Sequence, residues 1–372
     1  MAGLSPQRTW RIVHSEASRG WGGQEHRVLA ELVGFKQRGS EVWLLAPDDA
    51  EVRTRAEAAG ISTAPFNDAK WRYPFEAVRL ACWLRRIRPD VLNTHSSRDG
   101  WLVGMAGRLA RVPLQIRSRH FDVPVPNPRL SRHVYVTLAD HIITTSSKVV
   151  ADFCTLFRLP ERRVSAIPTG VDMAKFSPEG SKVSFAFPSE ITGPLVGIIG
   201  VIRHAKGHAV LFEGIKQLGE QGFPVRCVVV GDSPNRAGLE RRVSELGLSG
   251  RVLFVGNRED VPAILRSLDV LAIPSLHEAI PQVGLQALAC EVPVIGSDVG
   301  GIPQIIRPKE TGRLFSSGNA AALAAAIREA FAQADETRRM ALAGRHLGVQ
   351  HHSLEGMLDQ LQVLYGRYLP VA

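Results

Sequence analysis

Hydrophobic residues in this chain fall in short runs that alternate with longer amphipathic segments. The first half has apolar runs at 11–14, 42–46, 62–66, 91–94, 114–117, 142–144 and 164–167, which predict strands. Segments with helical length and spacing lie between them, at 24–38, 51–59, 75–87, 100–110 and 148–157. Strands that alternate with helices predict a parallel sheet covered on both faces.

The alternation stops at residues 176–192, which hold two Pro and four Ser and show little periodicity. It resumes with predicted strands at 195–200, 225–231, 252–255, 270–273, 294–297 and 313–315. Helices are expected between them and at 320–332, 337–347 and 354–368. The pattern predicts an α/β chain of two doubly wound, Rossmann-like domains, 1–185 and 186–353, that face a central cleft.

Composition agrees with a globular protein, with 45% hydrophobic and 22% charged residues. No apolar run reaches the roughly 18 residues of a membrane helix, and the first residues lack the apolar core of a signal peptide. The four cysteines, Cys82, Cys154, Cys227 and Cys290, stand singly, which predicts a cytoplasmic chain without disulfides.

The net charge of +9 lies entirely in the first half. Residues 1–185 hold 27 Lys and Arg against 18 Asp and Glu, and the remainder holds 18 of each. A solvated basic surface would explain this, and so would an anionic membrane face or an anionic acceptor. Nucleic acid is not an expected partner, because the chain shows no recognised nucleic-acid motif.

Two loops after predicted strands are suited to anionic ligands. The first contains Gly22 and Gly23, which lack side chains and precede a helix, so a ligand can approach the backbone there. A plain tight turn is the alternative, and the pattern is not G-x-G-x-x-G. The second loop, GVIRHAKG at 200–207, carries Arg203 and Lys206, which suit a phosphate unless they are simply solvated cations.

A third loop, in the stretch PSLHEAIPQVGLQALACEVPVIGSDVGG at 274–301, carries one carboxylate, Glu278. It lies where open α/β sheets bind ligands, at the carboxyl end of a strand and before a helix. The amides of residues 279–282 would face a phosphate or a sugar hydroxyl, and the carboxylate would stabilise positive charge in a glycosyl transition state. A loop carboxylate without function is the alternative.

Two further strand ends carry histidines, in HSSRD at 95–99 and SRHFD at 118–122. His95 and His120 could orient an acceptor hydroxyl or bond the transferring group, although histidines at strand ends are often structural. The arginines nearby, Arg98, Arg117 and Arg119, would add positive charge towards an anionic acceptor.

Taken together, these segments resemble the family 4 glycosyltransferases of the GT-B fold, including bacterial lipopolysaccharide and exopolysaccharide enzymes. The matching pieces are GWGGQEHRVLAELVGFKQRGSEVWLLAP, IPTGVDMAKFSP, VIRHAKG, VVVGDSP, the segment from VLFVGNRED to GGIPQII, TGRLF and SLEGMLDQLQVLYGRYL. The resemblance touches nearly the whole chain and is specific in combination.

The resemblance implies transfer of a sugar from a nucleotide-sugar donor with retention of configuration, with no metal or other cofactor and an unknown base. It makes Glu278 and His120 the catalytic pair, places the last helix, 354–372, on the first domain, and makes His95, Arg98, Arg117 and Arg119 the acceptor side. The implied donor-binding residues are Gly22, Gly23, Arg203, Lys206, Gly231, Gly256, Glu278, Ala279, Ile280, Pro281, Gln282 and Gln286.

One position departs from the family pattern. Where its E-x7-E motif has a second Glu, this chain has Gln286, which keeps an acceptor oxygen but loses the charge. In the family that position usually binds the ribose, so donor choice or affinity would change.

The leading hypothesis is a retaining glycosyltransferase of lipopolysaccharide or surface-polysaccharide assembly. Its acceptor would be a glycan or a lipid-linked glycan, met at the inner face of the cytoplasmic membrane through the basic first half and the helix at 75–87. A GT-B nucleotide-sugar epimerase and a sugar-nucleotide-binding pseudoenzyme are the alternatives.

Overall fold

The computed structural model describes residues 9–120, 125, 127–188 and 190–369. Within it the chain forms two compact units. The first contains the residues up to Gly170 together with those from Leu354 onwards, and the second is Val171–Ser353. Among the described residues, no helix combines the length and the apolar character needed to cross a membrane.

In the described part of the first unit, seven strands form one parallel sheet of order β3-β2-β1-β4-β5-β6-β7. β1 lies between β2 and β4, so the chain reverses its direction of growth across the sheet at β1. Ligands of open α/β sheets bind at such a reversal, beyond the carboxyl ends of the strands. The strands are β1 (Arg11–Ser15), β2 (Glu41–Ala46), β3 (Ser62–Pro65), β4 (Val91–Thr94), β5 (Leu114–Arg119), β6 (His141–Thr144) and β7 (Val164–Ala166).

The helices of this unit occur where the amphipathic segments predict them, with one addition. They are α1 (Gly23–Gln37), α2 (Glu51–Ala58), α3 (Tyr73–Ile87), α4 (Ser97–Ala110), α5 (Pro128–Arg132) and α6 (Ser147–Phe157). The short α5, followed by a π-helical turn at His133–Thr137, was not predicted. A five-residue helix is too short to show an apolar period, and Asn127 caps it by accepting a hydrogen bond from the Leu130 amide.

The second unit repeats the same plan. In its described part, six parallel strands have the order β10-β9-β8-β11-β12-β13, with the reversal between β8 and β11. The strands are β8 (Leu195–Ile199), β9 (Arg226–Val230), β10 (Val252–Gly256), β11 (Val270–Ile273), β12 (Val294–Ser297) and β13 (Arg313–Phe315). The helices are α7 (His208–Glu220), α8 (Arg236–Glu245), α9 (Val261–Ser267), α10 (Gln282–Ala289), α11 (Ile302–Ile305), α12 (Ala320–Ala332) and α13 (Ala334–His351).

The division between the units falls earlier in the chain than the sequence-based boundary at 185. Residues 171–185 pack with the second unit, since Val171 and Phe176 are buried in its core. The amide of Val183 donates to Ser267 Oγ at 2.7 Å, which fixes the segment to the end of α9. The absence of periodicity predicted where the segment between the two units lies. Which unit contains this segment depends on where its few apolar residues pack, and they pack in the core of the second unit.

The last helix, α14 (Leu354–Tyr368), packs in the first unit, in agreement with the predicted fold. Its Leu358 lies directly over Gly34 of α1, where an added Cβ would be 2.4 Å from Leu358 Cδ1. Tyr365 stacks on Phe35 at 5.4 Å between ring centroids and meets Trp10 edge-on at 5.6 Å. Each buried side chain of this size contributes about 1.5–3 kcal/mol to folding, so α14 is part of this core.

Candidate functional site

In the second unit, two loops meet at the reversal of the sheet: one after β8 and one after β11. The backbone of Leu276 donates to the carbonyl of Ala205 at 2.8 Å, which ties the loops together. Across this junction Lys206 Nζ donates to Glu278 Oε2 at 2.5 Å, and Ser275 Oγ donates to the same oxygen at 3.2 Å. The predicted cation and the predicted carboxylate are therefore neighbours, held by strands adjacent in the sheet.

A glycine is required where the first of these loops enters α7. Gly207 has φ +71°, and a Cβ there would lie 1.8 Å from the carbonyl oxygen of Pro274. No other residue allows both the left-handed backbone and this close approach. Gly207 therefore sets how near Lys206 comes to the loop after β11.

A pair of glycines that follows β12, Gly300 and Gly301, supports the loop of Glu278. Gly300 has φ +56°, and a Cβ there would lie 1.7 Å from the carbonyl oxygen of Glu278. The amide of Gly301 donates to Ala279 O at 3.0 Å. Because the carbonyls are held in this way, the loop presents its amides at the start of α10.

The amides that are predicted to face a phosphate or a sugar hydroxyl lie at the N-terminus of α10. Pro281 is the residue before α10, which begins at Gln282. Within the residues that the structure describes, the N–H groups of Ala279, Ile280 and Gln282 have no hydrogen-bond acceptor. Free amides at a helix start favour an anion or a hydroxyl oxygen. Gln286 lies one turn further along α10 and is half-buried.

Arg203 stands at the edge of this group. It is exposed, and its guanidinium makes no hydrogen bond or ion pair within the described chain. Its five donors are thus available to a phosphate.

Glycines also end the strands that lead away from this group. Gly231, with φ +128°, follows β9, and a Cβ there would lie 2.0 Å from Gly200 O. Its amide donates to Gly256 O at 2.8 Å, at the end of β10. Gly200, Gly231 and Gly256, at the carboxyl ends of β8, β9 and β10, therefore form one line of side-chain-free backbone.

His208, which sequence analysis did not single out, lies beneath these loops at the first position of α7. It lines a small cavity with Gly200, Lys206, Ile273 and Ser275. The side chain is buried and faces the backbone of Arg203, and neither ring nitrogen makes a hydrogen bond of full geometry in the described structure. Burial lowers the pKa of His208 to about 4, with the nearby Lys206 adding to the effect, so the ring is neutral at physiological pH.

In the first unit, the glycine loop leads into α1 at Gly23. Gly22 has an extended backbone, and its amide donates to the carboxylate of Glu25 at 2.8 Å. The helix start is thus capped by its own side chain. Neither the backbone angles nor the space around Gly22 require a glycine.

A buried carboxylate, Glu16, holds the same loop from the end of β1, and no sequence motif pointed to it. It accepts hydrogen bonds from the Ser18 amide at 2.8 Å and from the side chains of Ser96 and Gln24. Burial raises the pKa of Glu16 to about 7, and the charge of Asp99 adds to the rise. Glu16 therefore titrates near neutral pH, beside the predicted glycine loop.

Asp99 anchors the loop after β4. Its carboxylate accepts from the amides of Ser96 at 2.7 Å and His95 at 2.8 Å, and from Ser15 Oγ at 2.7 Å. This closes the first turn of α4 and fixes the backbone of His95.

The predicted acceptor-side residues separate into buried and accessible groups, which corrects the sequence assignment. His95 is buried, with ring nitrogens 3.0 Å from His14 and 2.8 Å from His120, so it meets no ligand directly. Arg117 is also buried, and its Nη1 donates to the carbonyls of Thr94 and Ser118. Its Nε is buried without a hydrogen-bond partner among the described residues, so no exposed donor of Arg117 is left for an acceptor, and we withdraw it from the acceptor side.

The two remaining acceptor-side residues, Arg98 and Arg119, and the predicted catalytic His120 are accessible to different degrees. Arg98 is exposed and pairs with Asp68 at 2.7 Å, a carboxylate that Arg19 also binds. Arg19 and then Arg98 hold the pKa of Asp68 down at about 2. Arg119 and His120 are half-buried at the end of β5, and Arg119 donates to the Tyr135 hydroxyl at 3.2 Å. Phe121 and Asp122, at the end of SRHFD, lie outside the described residues.

Comparison with known proteins matches both halves of the chain. A family model described as Glycosyltransferase Family 4 matches residues 21–175, and one described as Glycosyl transferases group 1 matches residues 182–347. The chain is 29% identical to the 2-deoxystreptamine glucosyltransferase of Streptomyces kanamyceticus, over 68% of this chain and 70% of that protein. It is 26% identical to the D-inositol 3-phosphate glycosyltransferase of Nocardia farcinica, over 91% and 84%.

Solved structures share the fold over almost the full length. A glycosyltransferase from Rickettsia africae superimposes with a TM-score of 0.83 at 19% identity, over 98% of this chain and all of that one. Anabaena HepE in complex with UDP superimposes with a TM-score of 0.79 at 19% identity, over 94% and 98%. The two Rossmann-like sheets, the two family matches and these relatives agree that the chain belongs to the group 1 and family 4 glycosyltransferases and is a GT-B glycosyltransferase.

Proposed function

We propose that this glycosyltransferase transfers a sugar from a nucleotide-sugar donor, with retention of anomeric configuration, to a lipid-linked or other glycan acceptor in lipopolysaccharide or surface-polysaccharide assembly. The observation that carries the donor part is the contact of Lys206 with Glu278 at the reversal of the second sheet. A nucleotide sugar has a diphosphate next to a sugar. A cation and a carboxylate 2.5 Å apart match that juxtaposition.

The proposed reaction breaks the bond between the anomeric carbon and the diphosphate oxygen, and the electron pair leaves with the phosphate. A bond forms between the anomeric carbon and the acceptor oxygen, and the proton of the acceptor hydroxyl passes to the departing diphosphate. Arg203 and Lys206 would stabilise the charge that develops on the leaving group. Glu278 would hold the sugar hydroxyls and stabilise positive charge on the ring.

Solved neighbours add support for the donor class. Anabaena HepE superimposes on this chain in complexes with UDP and with UDP-glucose. A galactosyltransferase of the lipopolysaccharide outer core, WaaB, superimposes with a TM-score of 0.69 at 17% identity. At these identities the likeness concerns the fold, so the choice of base and sugar rests on experiment.

The lipid-linked acceptor is supported by an exposed apolar row that begins in the short 3-10 turn Lys70–Arg72 and continues on the first turns of α3. Trp71, Phe75 and Val78 are 72%, 78% and 56% exposed and follow one another at near-helical spacing. Exposed arginines, among them Arg72 and Arg86, lie on the same segment. An apolar row flanked by cations fits the boundary between headgroups and acyl chains of an anionic membrane.

A second candidate acceptor is a small polar cyclitol. Two curated relatives carry names of this kind, a 2-deoxystreptamine glucosyltransferase and a D-inositol 3-phosphate glycosyltransferase. Such an acceptor would need no membrane surface, which makes the two candidates separable.

The donor part is tested with a thermal-shift screen of UDP-, GDP- and ADP-linked sugars, since a ligand of the native state raises the melting temperature. The best donor is then incubated with lipid-linked glycan, 2-deoxystreptamine or inositol 3-phosphate, and the anomeric configuration of the product is determined by NMR. Glu278→Gln should lower transfer at least about a hundredfold while the fold is kept. Undiminished transfer by Glu278→Gln would contradict the site assignment, and binding without turnover would indicate the pseudoenzyme.

Vesicle binding tests the membrane part. We expect the protein to bind phosphatidylglycerol vesicles at low salt and to be released by salt. Trp71→Ser/Phe75→Ser should lose this binding. Leu130→Ser/Val363→Ser is the matched control, because both residues are 58% exposed apolar side chains of the same unit. Equal loss in both double variants, or no binding by the wild type, would exclude this surface and favour the cyclitol acceptor.

A further inference from the structure

Three histidines of the first unit form a hydrogen-bonded row that ends at His120. His14 lies on β1, and His95 and His120 directly follow β4 and β5. His95 Nε2 is 3.0 Å from His14 Nδ1, and His95 Nδ1 is 2.8 Å from His120 Nε2. The row crosses the sheet because β1, β4 and β5 are successive neighbours in it.

A row of neutral imidazoles allows only two proton arrangements. Burial, as the largest cause, lowers the pKa of His14 to about 4 and holds those of His95 and His120 well below the usual value. Each ring at neutral pH therefore has one N–H and one lone pair. The two N–H bonds of the row must then point the same way, either both towards His120 or both towards His14.

The surroundings of His14 select one direction. Glu31 Oε2 lies 3.8 Å from His14 Nδ1 and has no hydrogen-bond partner in the described structure, while Glu31 Oε1 accepts from Arg27. A proton on Nδ1 is attracted to that carboxylate, whereas a lone pair there is repelled. The other ring nitrogen, Nε2, is buried without a partner, so the reverse arrangement would leave an N–H unpaired in the core.

We infer that His14 and His95 are positioning residues that fix His120 as the tautomer with its proton on Nδ1. The protons run from His14 Nδ1 to His95 Nε2 and from His95 Nδ1 to His120 Nε2. His120 then offers an N–H donor from Nδ1 and has no free lone pair, so it cannot serve as a base. The tautomer is a property of the folded chain alone, whereas donation to a sugar oxygen rests on the proposed function.

A metal site is the competing reading of the same atoms. Ligand atoms of His14, Glu31 and His95 all lie within 4.8 Å of one another. However, Arg27 pairs with Glu31 at 2.7 Å, and both ring nitrogens of His95 already have partners. A second cation beside the guanidinium would be repelled, so the hydrogen-bonded row is favoured.

The test is two-bond ¹H–¹⁵N correlation NMR of the full chain labelled in its 12 histidines, at neutral pH. The signals of each ring are identified by their loss in His14→Asn, His95→Asn or His120→Asn. We expect all three rings to show a protonated Nδ1 and an unprotonated Nε2. An Nε2-protonated or doubly protonated His120 would overturn the inference, and a change of the His14 and His95 signals on adding Zn²⁺ would favour the metal site.

A matched pair of variants tests the positioning role. His14→Asn keeps an amide N–H near the place of Nδ1, so His120 should remain the Nδ1 tautomer. His14→Leu removes the donor at similar size, and His120 should become a mixture of both tautomers. If His14→Leu does not fold, His14→Met replaces it, because it also lacks a ring donor and is of similar size. A pure Nδ1 tautomer of His120 in the variant without the donor would contradict the role. These readouts need no sugar, so they stand whether or not transfer is found.

Discussion

Lys206 Nζ and Glu278 Oε2 are 2.5 Å apart, and the bond between them joins the loops that follow β8 and β11. An ammonium group has three donors, so Lys206 can keep Glu278 and still meet a phosphate oxygen. The hydrogen bonds from Lys206 and Ser275 also orient the Glu278 carboxylate before a sugar arrives. One interaction thus prepares both the leaving-group side and the sugar side of the proposed reaction.

Replacing the cation should weaken donor binding. Lys206→Ala removes one charge-assisted hydrogen bond to the diphosphate, worth about 1.5–3 kcal/mol, so we expect the Kd of the nucleotide diphosphate to rise about tenfold to a hundredfold. Isothermal titration calorimetry measures it. Lys216→Ala is the control, because that lysine lies on α7 with 43% of its side chain exposed and, among the described residues, pairs with Glu220 at 3.7 Å. Equal affinities of both variants would place the diphosphate elsewhere.

Restoring the family residue at position 286 should tighten nucleotide binding. Gln286→Glu replaces a neutral acceptor by a charged one towards the ribose hydroxyls, a gain of about 1 kcal/mol or roughly fivefold in Kd. Gln282→Glu is the control, because it adds the same charge one turn earlier on α10. It distinguishes an effect specific to position 286 from an effect of added negative charge. Titration of the UDP, GDP and ADP sugars gives the comparison. If Gln286→Glu weakens binding of every nucleotide sugar, position 286 does not contact the ribose.

The close approach at Gly207 should be visible in stability. Gly207→Ala brings a Cβ to 1.8 Å from Pro274 O, so the loops must separate, at a cost of about 3 kcal/mol or more. Gly247→Ala is the control, since Gly247 has nearly the same φ, +69°, with nothing within 4 Å of an added Cβ. It should lose only about 1 kcal/mol, the price of the left-handed backbone. Urea unfolding measures the free energy of unfolding of both variants. Similar losses would show that the two loops separate at little energetic cost.

The stability of the first unit should depend on pH through Glu16. Its pKa is raised to about 7 in the folded chain, from 4.5, so the folded state binds the proton more tightly. The contribution of Glu16 is therefore complete below about pH 4.5 and is lost as the pH rises to about 7. Relative to Glu16→Gln, which does not titrate, the wild type should lose on the order of a few kcal/mol across that range.

Urea unfolding at pH 5, 6, 7 and 8 gives this difference in the free energy of unfolding. The buried histidines have lowered pKa values and the opposite pH dependence, but their contribution cancels because both proteins contain them. Glu57→Gln is the control, since hydrogen bonds from Thr63 and Arg53 lower the pKa of Glu57 and reverse the sign. A difference between wild type and Glu16→Gln that stays constant with pH would show that Glu16 is ionised throughout.

Much of the second unit's site could be predicted from sequence. Lys206 and Glu278 lie in loops directly after strands, and parallel strands place their carboxyl ends at one edge. The positions of Lys206 and Glu278 after predicted strands were therefore enough to predict that the two residues lie close together. His208 could not be found in this way, because a histidine at a helix start is common and only burial without partners distinguishes it.

In the first unit, some features could be predicted from the sequence and others depended on the tertiary structure. The sequence by itself determined the alternation of strands and helices, the glycines that allow close backbone approach, and the strand ends that carry histidines. Only the tertiary structure decided that Arg117 and His95 are buried, that 171–185 belongs to the second unit, and that Glu16 titrates near neutral pH. Burial and electrostatic environment depend on residues distant in the chain: Glu16 meets Ser96, and His14 meets His95, because β1 and β4 are neighbours in the sheet.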